Sequence, residues 1–121
     1  MPIIEKLNTS QAFWLIYAHA TDQRRKALRF DAFRQEDVCV LRCEDGRRCF
    51  LGALIPDDIY DKEMEGRTPE RLLLDFPALA ERFEGIDTEF LDQMVWIHDA
   101  NEPEDWTGLL ESVRINEGWP V

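Results

Sequence analysis

The stretch Glu44-Asp45-Gly46-Arg47, with a β-rich run on either side, constrains the fold more than any other part of the sequence. Asp-Gly between two such runs is a hairpin signal, because glycine enters the positive-φ region at little steric cost. Val38–Arg42 and Arg48–Leu51 are therefore read as the paired strands, and Pro56 ends the pairing after Gly52-Ala53-Leu54-Ile55. Register depends on the loop length. An odd loop puts Cys39, Leu41, Cys43, Cys49 and Leu51 on one face, whereas an even loop groups Cys49 with Val38, Val40 and Arg42. The face with Leu41 and Leu51 is the better one to meet helices, so the odd loop is favoured. Cys39 and Cys49 are then expected to be at least partly buried, with Cys43 the most accessible.

Outside the hairpin the apolar residues recur at helical spacing. Phe13, Ile16, Tyr17 and Ala20 form one helix face behind an N-cap at Thr9 or Ser10, and Trp106, Leu109, Leu110 and Val113 form another behind Pro103. Thr68-Pro69 reads as an N-cap and first helical position, Pro77 opens or interrupts a helix, and Asp87 caps a helix carrying Phe90, Leu91, Met94 and Val95. Residues 24–36 are read as an extension of the first helix or a short second one. The expected fold is α+β and mainly helical, with about four to six helices around one central β-hairpin, in a single domain spanning residues 1–121.

Charge divides the chain unevenly. The formal net charge of −11 is made of −1 over residues 1–23, +3 over 24–48 and −13 over 49–121. The acidic portion repels nucleic acid and acidic membrane surfaces and attracts basic partners. The sequence carries neither a signal peptide nor an apolar run near the ~20 residues of a membrane span. A cytoplasmic protein with three free thiols is expected, with no direct contact to nucleic acid or membrane.

The parts of the common catalytic mechanisms are missing: there is no G-x-S-x-G, no phosphate-binding Gly loop and no H-E-x-x-H. Cys39-x3-Cys43-x5-Cys49 has no usual zinc spacing, and a zinc site would need His19 or His98 as well. His98-Asp99 is the one His-carboxylate neighbour pair, but adjacent helix positions point apart, and a histidine near a helix C-terminus suits the dipole. No catalytic residue, metal or cofactor is expected. The run Asp57, Asp58, Asp61, Glu63 and Glu65 lacks the EF-hand spacing and reads as a solvated acidic face.

One string is similar to a known group. Cys39-Val-Leu-Arg42-Cys-Glu-Asp45-Gly46-Arg-Arg48-Cys49, then Gly52-Ala-Leu54-Ile55-Pro56-Asp57 and Tyr60-Asp-Lys-Glu-Met64-Glu65-Gly66, resembles a group of small uncharacterised bacterial and phage proteins. Their shared pattern is C-x-Y-R-x-x-D-G-x-(K/R)-C followed by G-x-L-I-P-D-x-x-Y-x-x-x-M-E-G. Leu41 departs from the pattern's Tyr, and Cys43 is additional. The resemblance implies a bacterial or phage origin and a hairpin-plus-helices fold, and no catalytic residue. The expected function is a small acidic protein-interaction module, an inhibitor or regulator of a basic nucleic-acid-handling protein in the manner of phage anti-defence or immunity proteins. Asp57, Asp58, Asp61, Glu63 and Glu65 are its expected partner-binding residues. The alternative is a small metal-binding protein or enzyme that uses the hairpin and the Asp57–Glu65 loop.

Overall fold

Asn8 starts the first helix by closing a reciprocal capping box with Gln11. Its side chain accepts from the Gln11 amide at 2.8 Å, while the Gln11 side chain accepts from the Asn8 amide at 2.9 Å. The cap is thus one residue earlier than Thr9 or Ser10, and Thr9 is used elsewhere: its hydroxyl accepts from the Asp87 amide. The computed structural model describes residues 4–120.

Five helices follow the expected pattern: α1 (Thr9–Gln23), α2 (Pro69–Asp75), α3 (Pro77–Arg82), α4 (Thr88–Ala100) and α5 (Pro103–Glu117). Proline occupies the first turn of α2, α3 and α5, where its missing N–H costs nothing. Thr68 and Asp87 cap α2 and α4 as expected, and Gly118, at φ 74°, ends α5. Helix α5 packs on α1 and α4, and α4 also meets α2. Phe13, Ile16, Phe83, Leu91, Met94, Trp106 and Leu110 fill one buried cluster between them.

The α+β, mainly helical class is therefore found, but the hairpin is not where its strongest signal lies. The paired strands are β1 (Leu28–Asp31) and β2 (Glu36–Cys39), with Leu28 opposite Cys39 and Asp31 opposite Glu36. Residues 24–36, read above as helix, hold the first strand and the turn instead. Asp31 organises that turn, its carboxylate accepting from the amides of Phe33 (2.9 Å) and Arg34 (3.2 Å). Gln35 takes the left-handed position at φ 56°.

The Asp45-Gly46 stretch does reverse the chain, with Gly46 at φ 94°, but its flanks make only an isolated bridge between Arg42 and Arg48. The five residues between them give the odd-loop register, and Cys49 donates its amide to the Leu41 carbonyl opposite. The upstream flank is strand only as far as Cys39, where it pairs with β1, and the downstream flank forms no strand. Val40 and Leu41 are both buried, and after Leu51 the chain winds into a 3-10 turn at Gly52–Leu54.

Gly52 is fixed by space: a Cβ there would lie 2.0 Å from the Leu41 carbonyl oxygen, which belongs to rigid backbone. Gly108, inside α5, meets nothing within 4 Å. Gly52→Ala is expected to cost about 3 kcal/mol or to prevent folding. Gly108→Ala should stabilise by roughly 0.5–1 kcal/mol by restricting the unfolded chain. Urea unfolding of both variants checks the pair, and equal effects would contradict the packing described for residue 52.

Candidate functional site

The acidic residues singled out in the sequence divide by role. Glu65 is half-buried, and its carboxylate accepts from the Leu41 amide at 2.7 Å, the Arg42 amide at 3.1 Å and the Tyr60 hydroxyl at 2.6 Å. Burial, followed by the bond to Glu65, pushes the Tyr60 phenol up to about 12. Asp57 is exposed but pairs with Arg42 (2.7 Å) and Arg48 (3.2 Å). Asp61 caps the 3-10 turn Lys62–Met64 by accepting from the Glu63 amide. Asp58 and Glu63 are exposed. The carboxylates of Glu65 and Asp57 thus hold loops together, and Asp58, Asp61 and Glu63 form the outward part of the acidic face.

Arg42 is the centre of this loop network. Its guanidinium stacks over the Tyr60 ring at 4.5 Å, bonds the Ile55 carbonyl and pairs with Asp57. Arg42, Asp57, Tyr60 and Glu65 meet here. Met64, at the end of the 3-10 turn Lys62–Met64, is buried.

A second assembly borders a cleft beside α4. The cleft has a volume of about 380 Å³ and runs between the chain following β2, residues 65–69 and α4. Leu41, Phe50 and Val95 supply apolar wall, and Cys39, Asp92 and Asp99 line it as well. At one end Cys39, His98 and Asp99 present donor atoms within 4.8 Å of one another.

His98 departs from the expectation of a helix-end residue unconnected to Asp99. It is fully buried, stacked on Trp106 with ring centroids 5.2 Å apart, and edge-on to Phe50 at 5.3 Å. Its Nδ1 lies 2.6 Å from Asp99 Oδ1. Adjacent helix side chains do point apart, but Nδ1 sits on the backbone side of the ring, and a short carboxylate one residue on reaches it.

The hydrogen bonds indicate what this set can do. Nε2 faces the Ala27 amide at 3.4 Å and must accept from it, so the neutral ring carries its proton on Nδ1 and donates to Asp99. Cys39, half-buried, holds its thiol within 4.8 Å of the Asp99 carboxylate. Burial first, and that carboxylate second, push its thiol up to about 12. Cys, His and Asp are donors zinc accepts. A metal on Nδ1, however, would move the ring proton to Nε2, against a backbone donor. Nor is Cys39 an activated nucleophile, since its neighbour is a carboxylate and the ring's basic nitrogen points elsewhere. Asp99 therefore lies between the ring it bonds and a thiol whose proton its charge helps to retain.

A third feature had no strong sequence signal. At the hairpin tip Phe33 is 98% exposed, and Phe30 on β1 is 59% exposed. Alternation along β1 does group Phe30 with Leu28 and, across the register, with Cys39 and Asp37. Phe30 therefore lies on the face that leads to the cleft.

Two predictions concern the thiols. Cys49 is buried and also raised to about 12, chiefly by burial, while Cys43 is half-buried, donates to the Leu28 carbonyl and is raised less. Alkylation of the native protein near pH 8 should label Cys43 first, then Cys39, and Cys49 only on unfolding. Asp99→Asn should accelerate labelling of Cys39 by removing the charge that opposes its thiolate. No acceleration would mean that Asp99 does not hold the thiol.

The second concerns alkaline stability. Thiols raised from 9.0 to about 12 keep their protons in the folded protein over a range where the unfolded chain has lost them. The folded state then binds more protons, so stability must fall as pH rises from about 9 to about 12. Chemical denaturation across that range should show the fall, and Cys49→Ala should flatten it.

Comparisons with known proteins add no identity to this geometry: no family model matches the chain, and neither a curated protein nor a solved structure matches it significantly.

Proposed function

We propose that this chain is a protein-interaction module that engages a basic protein, with the β1–β2 hairpin as its docking element. The observation that carries the reading is Phe33, an aromatic side chain almost wholly in water at the tip of a projecting ribbon, with Phe30 beside it. Burying one such ring in a partner's pocket contributes about 1.5–3 kcal/mol, and exposed aromatics are the usual anchors of interfaces.

Charge supports the choice of partner. Residues 49–121 carry −13, and the exposed carboxylates are spread over α4, α5 and the Asp57–Glu65 loop. Asp58, Asp61 and Glu63 belong to this field, which steers a basic protein toward the hairpin rather than anchoring it. The narrower reading, an inhibitor or regulator of a nucleic-acid-handling protein as in anti-defence or immunity systems, rests on the same charge. Such a partner presents a basic surface for its nucleic acid, and an acidic domain covering that surface competes with it.

The test compares variants rather than a single capture. Immobilised protein is exposed to nuclease-treated bacterial lysate at low and high salt. A basic protein should be retained at low salt, retained less at high salt, and lost with Phe33→Ser. Reversing charge at Asp58, Asp61 and Glu63 should slow association by about tenfold or more and change dissociation little. Equal retention by Phe33→Ser would overturn the hairpin as the docking element, and the absence of any retained basic protein would overturn the proposal.

A further inference from the structure

We infer that the face of α4 bordering the cleft is a binding site for an arginine side chain of the partner, an inference that rests on reading that partner as basic. Asp92, Val95 and Asp99 fall at i, i+3 and i+7, so they form one stripe of the helix, with the carboxylates about 10 Å apart along its axis. All three line the cleft. Trp96 stands beside the stripe, four residues after Asp92 and three before Asp99, and is 55% exposed. The other tryptophans are half-buried or buried.

An exposed indole between two carboxylates, next to an apolar cleft, matches the divided chemistry of arginine. The guanidinium is planar and weakly hydrated, so it stacks on an aromatic face while bonding a carboxylate in its own plane. Its methylene stem covers apolar surface, here Val95 and the cleft wall at Leu41. Lysine has the charge without the flat face, which is why arginine is the residue assigned.

The neighbouring groups leave the site negative. Arg67 lines the cleft but is paired with Asp75, and Lys26 bonds the Asp99 carbonyl at 3.0 Å rather than its carboxylate. One Asp99 oxygen receives His98 Nδ1, and the Asp99 side chain is still 40% exposed. The buried His98 therefore positions a carboxylate at the end of the cleft. The site also adjoins Cys39, which shares one face of the hairpin with Phe30.

The experiment uses the whole protein and a blocked Gly-Arg-Gly peptide, against the same peptide with citrulline, which keeps the shape and loses the charge. Chemical shifts of Val95, Asp99 and the Trp96 indole N–H are followed during titration. Saturable shifts at these positions are expected with the arginine peptide only. Asp92→Asn and Trp96→Ala, both at exposed positions, should each weaken binding by about threefold to fivefold. Equal shifts with citrulline, shifts confined to other acidic surfaces such as residues 102–105, or unaltered binding by both variants would overturn the site. If the arginine peptide fails while Phe33-dependent capture persists, the cleft assignment falls alone. If the peptide binds as expected while capture ignores Phe33, the arginine site stands and the hairpin reading falls.

Discussion

The half-buried carboxylate of Glu65 is the contact on which the middle of this protein depends. From residue 40 to residue 68 the chain has no strand and only two short 3-10 turns, yet much of it is buried. Buried backbone without a ladder needs side chains as partners. Glu65 accepts two consecutive amides, those of Leu41 and Arg42, and the Tyr60 hydroxyl; Arg42 then bonds the Ile55 carbonyl and Asp57. One carboxylate and one guanidinium thus tie three loop segments together. The first helix reaches the same region from the other side. Gln23 both donates to and accepts from the Arg48 backbone, and His19 bonds the same carbonyl.

This arrangement explains which parts of the fold were legible in the sequence. The helices were, because caps and prolines act locally: Thr68-Pro69, Asp87, Pro103 and Gly118 mark their ends without reference to anything distant. The hairpin is not legible at its true place, because the visible turn signal and the ladder belong to different turns. Asp45-Gly46 reverses the chain, but Gly52 must approach the Leu41 carbonyl, and that close contact breaks the second strand. The real turn has no glycine. Its left-handed position is taken by Gln35, at about 1 kcal/mol or more, and Asp31 compensates by receiving two turn amides.

The candidate site was legible only in part. The acidic loop is visible as composition, but nothing in its spacing distinguishes Glu65, which faces inward, from Glu63, which faces out. His98 and Asp99 stand side by side in the sequence, but their contact goes with a ring packed against Phe50 and Trp106. Those two residues lie far from each other in sequence, and only tertiary packing brings them to one histidine. Alternation could have grouped Phe30 with Cys39 once the strand was assigned correctly. The extreme exposure of Phe33 could not be read, because an isolated phenylalanine among charges is more often a core residue.

The hairpin stands apart from the constraints that shape the rest of the chain. Its base is buried, at Ala27 and Val40, and the Val40 amide bonds the Ala27 carbonyl there. Beyond that base most residues are exposed, with Asp31 half-buried beneath the turn, and the hydrogen bonds of the tip stay within the turn itself. Two strands alone are marginally stable, and an exposed aromatic adds nothing to their folding. Charges at Arg29, Asp31, Glu36 and Asp37 guard the strand edges against pairing with another sheet. A ribbon protected along its edges but apolar at its tip does not invite strand addition; it presents side chains instead. The body does not need Phe33 to fold, which makes its sequence at that position free to answer to something outside the molecule.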